Sequence, residues 1–390
     1  MKKKILATIL CAGLIATMLA GCGKKDGDTG AESISEIAQP IHTETEDTNT
    51  TTEEPEPEPE PAEPAVKILR NEDAPEGYVY NELSGLLIDK SIENQRPIGV
   101  MVDNEITALD HYGLNDADVI YEMMNSTANN RITRLFVLMK DWGKVERLGS
   151  IRSTRTTNCI LTIEWNNILL HDGGPGVFIN DYIALDSVDN ISGVFARIDN
   201  GKPREFTEYV TKADLEKYLV NSSTIDTEYN KYYTGPHFEF TESDALTAGT
   251  FASEKDAKGV IALPFPHNSS ELHYNADTNL YEYYEYGKPH VDGATGEVLT
   301  FRNVILQRAT FGEWGEGYMW YNLVDNDSGD PQEGYYITDG KCVPITWSKP
   351  ATLVENTRFM DENGNNIILN AGKTYIGIVP SDTWDTISIE

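Results

Sequence analysis

Short apolar runs bounded by turn residues make up most of the chain beyond residue 66, and they predict a fold rich in β-strands. We expect buried strands in PIGVMVDN (97–104), DADVIYEMM (116–124), ITRLFVLMK (132–140) and NILLHDGGPG (167–176). We expect helices in TTNCILTIEWN (156–166) and TKADLEKYLVNS (211–222), the second with a capping-box-like opening. Strands that alternate with helices predict an α/β (α+β) N-terminal domain.

The pattern changes after about residue 250. Runs such as LHYNADTNLYEYYEYGKPHVD, GYYITDGKCVPITWSK and KTYIGIVP are short and rich in aromatic or β-branched residues. They predict a mostly antiparallel, β-rich C-terminal domain, either a small barrel or a sandwich. Four tyrosines cluster in one run: Tyr281, Tyr283, Tyr284 and Tyr286. Alternate burial along one strand and a carbohydrate-stacking surface both account for this cluster.

These signals divide the chain into four parts. We predict a lipoprotein signal peptide at 1–21, a disordered acidic tether at 22–66, the α/β domain at 67–248 and the β-rich domain at 249–390. The folded part has about 320 residues, more than one hydrophobic core usually organises, so two domains are expected.

The N-terminus carries an export signal. MKKKILATILCAGLIATMLAGC joins three lysines to an apolar run of about 15 residues, shorter than the ~20 that span a bilayer. Its last residues resemble a bacterial lipobox. That resemblance implies that Cys22 becomes the first mature residue and anchors the protein by acyl chains in the cell membrane, on its extracytoplasmic face. An ordinary secretory signal is the alternative.

The segment TETEDTNTTTEEPEPEPEPAEPAV is acidic, rich in proline and poor in large apolar side chains. It cannot bury enough apolar surface to offset chain ordering, so we expect an extended spacer, with capture of a basic partner as the alternative. The formal net charge of −32 argues against nucleic acid as a partner. For Cys159 and Cys342 we favour two unpaired, buried thiols over a disulfide.

The arginines of this acidic chain are concentrated in one stretch. Five of its twelve arginines lie between positions 131 and 155, and four of them are candidate ligand-binding residues: Arg131, Arg134, Arg152 and Arg155. Guanidinium groups bind phosphate and carboxylate bidentately, while Ser153 and the predicted helix N-terminus add donors. SIRSTRTT therefore has the parts of an oxyanion site. Internal ion pairs with acidic residues are the structural alternative.

Polar residues also follow two predicted strands, at Asp103 and in His171-Asp172-Gly173-Gly174. Ligands of open α/β sheets bind at the carboxyl ends of strands, so we add His171, Gly173 and Gly174 to the candidate site. Asp103 and Asp172 are candidate ligands for Mg²⁺ beside a bound phosphate. A His–Asp pair could also transfer a proton, whereas a hydrogen-bonded structural histidine is the alternative.

No sharp catalytic signature is present. The sequence lacks a G-x-S-x-G elbow, an H-E-x-x-H motif, a phosphate loop and a dinucleotide fingerprint. The sequence therefore leaves open whether the protein is an enzyme.

RPIGVMVDN, GLNDADVIYEMM, RITRLFVLM, RLGSIRSTR and LLHDGGPG resemble the YerB family of bacterial lipoproteins, and the likeness continues through about residue 390. That resemblance implies an N-terminal α/β part, a C-terminal β-rich part and a lipid anchor, without an established reaction. Where the family tends to have a Pro-His-Asn-Leu-type segment, this chain has GKPREFTEYVT, with Arg204 and Glu205 after the proline. A role that depends on that histidine is not carried over.

The order of these motifs is also similar to that of the LytR–CpsA–Psr cell-wall transferases. That resemblance implies arginines on the diphosphate of a polyprenyl-linked glycan, with Mg²⁺ on nearby acids. Thr156 and Leu135 stand where that family has acids. Three hypotheses result: an envelope protein that binds an anionic ligand, a transferase or hydrolase of a phosphate-linked envelope glycan or lipid intermediate, and a structural adaptor for a protein partner.

Overall fold

The computed structural model describes residues 66–324 and 332–390. The predicted signal peptide, Cys22 and the tether up to residue 65 lie outside the described residues. The helices of the described part are α1 (Thr156–Glu164), α2 (Gly176–Ile183), α3 (Lys212–Leu215) and a π-helix (Glu216–Val220). Single 3₁₀ turns occur at Asn71–Asp73, Lys90–Ile92, Ile106–Ala108, Leu114–Asp116, Trp142–Lys144, Arg204–Phe206, Ala245–Ala248 and Trp384–Thr386.

The strands of the first half are β1 (Tyr78–Tyr80), β2 (Leu87–Asp89), β3 (Ile98–Asp103), β4 (Val119–Met124), β5 (Thr133–Met139), β6 (Arg147–Gly149), β7 (Ile168–His171), β8 (Asp189–Ser192), β9 (Ala196–Arg197), β10 (Glu208–Thr211) and β11 (Glu239–Thr241). Those of the second half are β12 (Lys255–Asp256), β13 (Val260–Ala262), β14 (Glu271–Asn275), β15 (Leu280–Glu285), β16 (Lys288–Pro289), β17 (Thr300–Phe301), β18 (Asn303–Ala309), β19 (Phe311–Gly315), β20 (Tyr318–Tyr321), β21 (Gln332–Thr338), β22 (Lys341–Ser348), β23 (Arg358–Met360), β24 (Ile368–Asn370), β25 (Thr374–Pro380) and β26 (Ser388–Ile389). The described part is thus mostly strand with few helices.

One large mixed sheet runs through both halves of the described chain. Its strand order is β12-β22-β21-β18-β25-β4-β5-β3-β7-β8, with β23 paired to β22. The halves meet where β25 pairs parallel with β4, in a register that sets Ile376 beside Tyr121. The described residues, 66–324 and 332–390, accordingly belong to one compact unit. The predicted boundary at residue 249 separates two sequence regions that share this sheet.

The central strands are apolar because both faces of the large sheet are covered. On β4 and β5, Ile120 lies opposite Val137 and both belong to one core cluster. The next pair, Tyr121 and Phe136, belongs to the other cluster. A strand buried on both faces reads as a continuous apolar run rather than as an alternation. The runs at 97–104, 116–124 and 132–140 therefore predicted their strands correctly.

The C-terminal half adds a smaller antiparallel sheet in the order β16-β15-β14-β13-β26, with β17 also paired to β15. On β15, Tyr281 and Tyr283 are buried, whereas Tyr284 is partly exposed and stacks on His273 with 3.8 Å between ring centroids. The alternate burial predicted for the tyrosine cluster is confirmed. Cys159 and Cys342 are both buried free thiols, as predicted, and burial raises the pKa of each to about 12.

Candidate functional site

A cavity of about 480 Å³ opens where the large sheet presents the carboxyl ends of β3 and β4 and the start of β5. The charged residues that line it are Asp103, Glu105, Arg134, Arg152, Arg155, Glu205 and Glu316. Asn125, Phe206 and Tyr318 contribute further side chains to its wall. Three of the four predicted ligand-binding arginines therefore meet in one place, although they come from two separate segments.

Backbone hydrogen bonds hold the arginine segment at this position. The amide of Arg152 donates to the carbonyl of Met101 over 2.9 Å, and the amide of Asp103 donates to the carbonyl of Ser150 over 3.1 Å. On the other side, the amide of Asp172 donates to the carbonyl of Arg152 over 2.9 Å. Residues 150–154 thus lie between the end of β3 and the turn after β7.

Arg152 is the arginine of this cavity that has carboxylate partners. Its Nε atom lies 2.6 Å from Oδ2 of the buried Asp103, although the two atoms are not aligned for a hydrogen bond. Its Nη2 atom lies 3.0 Å from Oε2 of Glu205, and its guanidinium carbon lies 5.5 Å from the ring centroid of Phe206. The charge of Arg152 is therefore largely balanced within the protein.

Arg134 is buried without such a partner. Its Nη1 atom donates to the backbone carbonyl of Ser153 over 2.5 Å, and no carboxylate oxygen of the described residues lies within 4.0 Å of its guanidinium nitrogens. Burial and the nearby charge of Arg155 lower the pKa of Arg134 to about 9. The guanidinium still carries its charge at neutral pH, but in an environment that disfavours it.

Arg155 is in a similar position at the start of α1. Its Nη1 atom donates to the carbonyl of Thr154 over 2.9 Å, while its Nε atom is buried and has no hydrogen-bond partner. Among the described residues no carboxylate pairs with it, and burial lowers its pKa. Its guanidinium carbon lies 5.5 Å from the ring centroid of Tyr318. A cation at a helix N-terminus is electrostatically unfavourable, which adds to the cost of its burial.

The fourth arginine does not line this cavity. Arg131 lies in a left-handed turn and forms two hydrogen bonds to the carboxylate of Asp382, at 2.9 and 2.6 Å. Arg131 and Asp382 thus form an ion pair between the two halves of the chain. The structural alternative, internal ion pairs, describes this arginine. Ser153 contributes its backbone carbonyl to Arg134 rather than lining the cavity with its side chain.

The turn after β7 lies beside the cavity and has its own contacts. His171 is buried, and its Nδ1 atom lies 2.7 Å from the carbonyl oxygen of Gly173. Burial lowers the pKa of His171, so its imidazole is neutral at neutral pH. Gly173 adopts a φ of +72°, and a Cβ atom on Gly174 would lie 2.5 Å from Cδ1 of Ile179. The contacts of His171, Gly173 and Gly174 are therefore those of a structural turn.

The two aspartates proposed for Mg²⁺ each face an arginine. Asp103 contacts Arg152 in the cavity, whereas Oδ2 of Asp172 lies 3.0 Å from Nη2 of Arg197 outside it. Arg197 also contacts Glu208, whose pKa is raised to about 7 by burial and by the neighbouring Asp172. The site for Mg²⁺ on Asp103 and Asp172 remains a prediction.

Several lining residues were not predicted from the sequence. Tyr318 and Glu316 come from the C-terminal half, near the hairpin of β19 and β20. The side-chain oxygen of Asn125, which directly follows β4, is buried without a hydrogen-bond partner. Its position directly after a strand was the sequence signal that could have added Asn125 to the candidate site. No local sequence pattern predicts that Tyr318 and Glu316 of the C-terminal half line this cavity.

The fold and the cavity define a class: a β-rich protein built on one mixed sheet, with a polar, arginine-lined cavity at its strand ends. Family models agree with this description. Residues 83–226 match "Protein of unknown function (DUF3048) N-terminal domain", and residues 261–376 match the C-terminal domain of the same family. The chain belongs to this YerB-like family of unknown function.

The chain is similar to a Bacillus subtilis (strain 168) protein named "Putative lipoprotein YerB". The two are 25% identical over 319 residues, which is 76% of this chain and 85% of that protein. The crystal structure of YerB from Bacillus subtilis has the same fold, with a TM-score of 0.65 and 21% identity over 80% of this chain and 99% of that one. These matches confirm the YerB-like resemblance and give no support to the likeness to LytR–CpsA–Psr transferases.

The membrane prediction concerns residues that the structure does not describe. Cys22, the predicted site of lipidation, lies outside residues 66–324 and 332–390. Within those ranges, no helix has the length and apolar character needed to cross a bilayer.

Proposed function

We propose that this protein binds an anionic ligand, with a phosphate or carboxylate group, in the cavity lined by Arg134, Arg152 and Arg155. The observation that carries the proposal is the state of Arg134, which is buried, and of Arg155, which is half-buried. Neither guanidinium group has a carboxylate partner among the described residues. A bound oxyanion would accept hydrogen bonds from both and would offset the cost of burying their charges.

The carboxylates of the cavity favour a binding site over a metal-dependent transferase site. Asp103 and Glu205 both contact Arg152, and Oε2 of Glu105 accepts a hydrogen bond from the amide of Thr107 over 2.7 Å. A hard cation such as Mg²⁺ would have to compete with these partners. We therefore prefer a binding protein to a transferase.

The size of the cavity favours a ligand larger than inorganic phosphate. A volume of about 480 Å³ falls within the usual range of ~300–1,000 Å³ for sites of small organic molecules. The rings of Tyr318 and Phe206 offer flat surfaces beside Arg155 and Arg152. A sugar or short glycan that carries phosphate or carboxylate would use both the charges and these rings.

The place of this function would be the cell envelope. The Bacillus subtilis relative is named as a lipoprotein, and the N-terminus of this chain resembles a lipoprotein signal that ends at Cys22. We infer that acyl chains on Cys22 hold the folded unit at the extracytoplasmic face of the membrane. There it would meet phosphorylated glycans or their lipid-linked intermediates.

Isothermal titration of the full chain, purified in detergent, tests the proposal with pyrophosphate and a sugar phosphate as probes. Arg134→Gln and Arg155→Gln each remove a donor to the anion, and a charge-assisted hydrogen bond contributes ~1.5–3 kcal/mol. We expect each variant to bind roughly 10- to 100-fold more weakly than the wild type.

Arg131→Gln is the matched control, because it removes an arginine of the same cluster that pairs with Asp382 outside the cavity. It should leave the affinity unchanged. Thermal melts without anion show whether each variant is folded. Failure of every oxyanion to bind the wild type, or equal losses in Arg131→Gln and Arg155→Gln, would reject the proposal.

A further inference from the structure

A second group of polar side chains lies at a site that the anion proposal does not use. His111 precedes β4, Glu285 ends β15, and His290 directly follows β16. All three side chains are buried, with exposed fractions of 0, 2 and 3%. One potential ligand atom from each of them lies within 4.8 Å of those of the other two.

Hydrogen bonds fix the orientation of both imidazoles. Nε2 of His111 lies 2.5 Å from the backbone carbonyl oxygen of Asp103, and a carbonyl only accepts, so Nε2 carries the proton. Nδ1 of His290 lies 2.7 Å from Oε1 of Glu285. His111 has the arrangement usual for a metal-binding histidine, in which one ring nitrogen donates to an oxygen and the other is left for the metal. On His290, a metal would take the place of the proton between Nδ1 and Oε1 of Glu285.

The remaining atoms of the group have no partner. Nδ1 of His111, Nε2 of His290 and Oε2 of Glu285 are all buried and form no hydrogen bond. Asn268 is also close to Glu285, but its amide nitrogen donates to the carbonyl of Asn104 and the hydroxyl of Tyr286. Buried polar atoms in proteins nearly always have partners, so the free Nδ1 of His111 and the free Oε2 of Glu285 in one group indicate a missing ligand.

We propose that His111, Glu285 and His290 bind a transition-metal dication, for which Zn²⁺ fits best. Two imidazole nitrogens and one carboxylate oxygen are a common zinc ligand set, which leaves a fourth position open. Zinc at ~2.0–2.1 Å from each donor sets tetrahedral neighbours roughly 3.3 Å apart, so the three atoms would move closer together on binding.

Access to the group is consistent with a metal. Glu285 and His290 line a cavity of about 280 Å³ together with Asp110 and Lys288, so an ion can enter and the open position can hold water or another ligand. Asp292 is not available, since its carboxylate accepts from the amides of Gly113 and Asn115.

Metal titration of the tag-free full chain in detergent, after removal of bound ions with a chelator, tests this site. We expect one Zn²⁺ per chain. His111→Gln and Glu285→Gln should weaken binding on the order of a hundredfold or more. His273→Gln is the matched control, because His273 lies 2.7 Å from Glu271 in a partly exposed pair elsewhere. It should bind as the wild type does.

Substitution with Co²⁺ gives a second readout that needs no variant and so does not depend on variant folding. Cobalt bound at this site should show the intense visible absorption of a four-coordinate ion with nitrogen and oxygen ligands. Absence of stoichiometric binding to the wild type, or equal affinity in the wild type and Glu285→Gln, would overturn the proposal. Neither result bears on the anion cavity, so the two proposals fail independently.

Discussion

Asp103 and Arg152 form an ion pair, 2.6 Å between Oδ2 and Nε, at the point where β3 ends in the arginine-lined cavity. The backbone carbonyl of the same aspartate accepts the hydrogen bond from His111. Asp103 therefore contacts both proposed sites, one through its side chain and the other through its main chain. The ion pair also explains why the three arginines of the cavity are not equivalent.

Removal of a carboxylate from the cavity should strengthen anion binding. Asp103→Asn keeps the size of the side chain but leaves Arg152 paired with Glu205 alone. We expect the affinity for pyrophosphate to rise severalfold, since a negative charge close to the ligand is lost. The same change should lower the free energy of unfolding by about 1–3 kcal/mol, because the ion pair of Arg152 with the buried Asp103 is broken. The partial exposure of Arg152 keeps this loss below that expected for a fully buried pair.

Titration calorimetry and urea unfolding measure these two effects separately. A loss of affinity in Asp103→Asn, in a variant that remains folded, would mean that the carboxylate positions the ligand rather than repelling it. Glu333→Gln is a suitable control, because Glu333 is an exposed partner of Arg308 in the C-terminal half.

Replacement of Arg155 by an apolar side chain should stabilise the protein in the absence of ligand. Arg155 is held close to Arg152 and Arg134 without a carboxylate partner, and burial disfavours its charge. We expect Arg155→Met to raise the free energy of unfolding by about 1 kcal/mol. Residues of a binding site often lower stability, so their replacement commonly stabilises the protein. Urea unfolding without added anions measures this change.

Arg131→Met tests whether the stabilisation is specific to the cavity. Its guanidinium pairs with Asp382 at the surface, so its loss should lower stability by no more than about 1 kcal/mol. A loss of roughly 3–5 kcal/mol in Arg155→Met would instead identify Arg155 as one partner of a buried ion pair.

A buried ion pair far from the cavity predicts part of the acid sensitivity. Glu164 and Lys349 are fully buried, with 2.7 Å between Oε2 and Nζ. Burial disfavours the charge of Glu164, but Lys349 and His237 outweigh this effect and lower its pKa from 4.5 to about 2. The unfolded chain therefore binds more protons in this range, and the stabilisation by the pair is lost as the pH falls from about 4.5 towards 2.

Comparison with Glu164→Gln isolates this contribution. At pH 7 the wild type should be more stable than the variant, by about 3 kcal/mol. The difference should shrink as the pH is lowered through 4, because the wild-type carboxylate becomes protonated. Urea unfolding at several pH values measures it, and a difference that stays constant from pH 7 to pH 3 would contradict the assignment.

The central strands of the large sheet, β3, β4 and β5, could be predicted from the sequence because they are apolar on both faces. The helices at 156–166 and 211–222 were also predicted, the second from its capping box: the hydroxyl of Thr211 accepts from the amide of Asp214 over 3.3 Å. Local signals of this kind lie within one segment. The tyrosine alternation on β15 is another example.

Contacts between distant segments could not be predicted in the same way. Glu122 lies in an apolar run, yet its carboxylate accepts hydrogen bonds from hydroxyls of both halves, including Thr133, Tyr283 and Tyr375. The pairing of β25 with β4 that brings these groups together depends on packing over more than 250 residues. No periodicity or turn signal in the sequence predicts a contact between segments so far apart.

The same limit applies to the candidate sites. The arginine cluster was visible because five arginines lie within 25 residues of each other in the sequence. That Arg131 does not line the cavity, unlike Arg134, Arg152 and Arg155, could not be predicted, because its partner Asp382 is distant in the sequence. His111, Glu285 and His290 come from segments about 175 residues apart, so their meeting appeared only in the fold. Spacing along a chain predicts a site only when its residues are close in sequence.

The most direct test of the anion site is an anomalous difference map from crystals of the protein soaked in tungstate, a heavy analogue of phosphate. We predict a peak in the cavity within hydrogen-bonding distance of the guanidinium groups of Arg134 and Arg155. An empty cavity at a tungstate concentration that saturates binding in solution would contradict the account. In that case the two unpaired arginines would need another explanation.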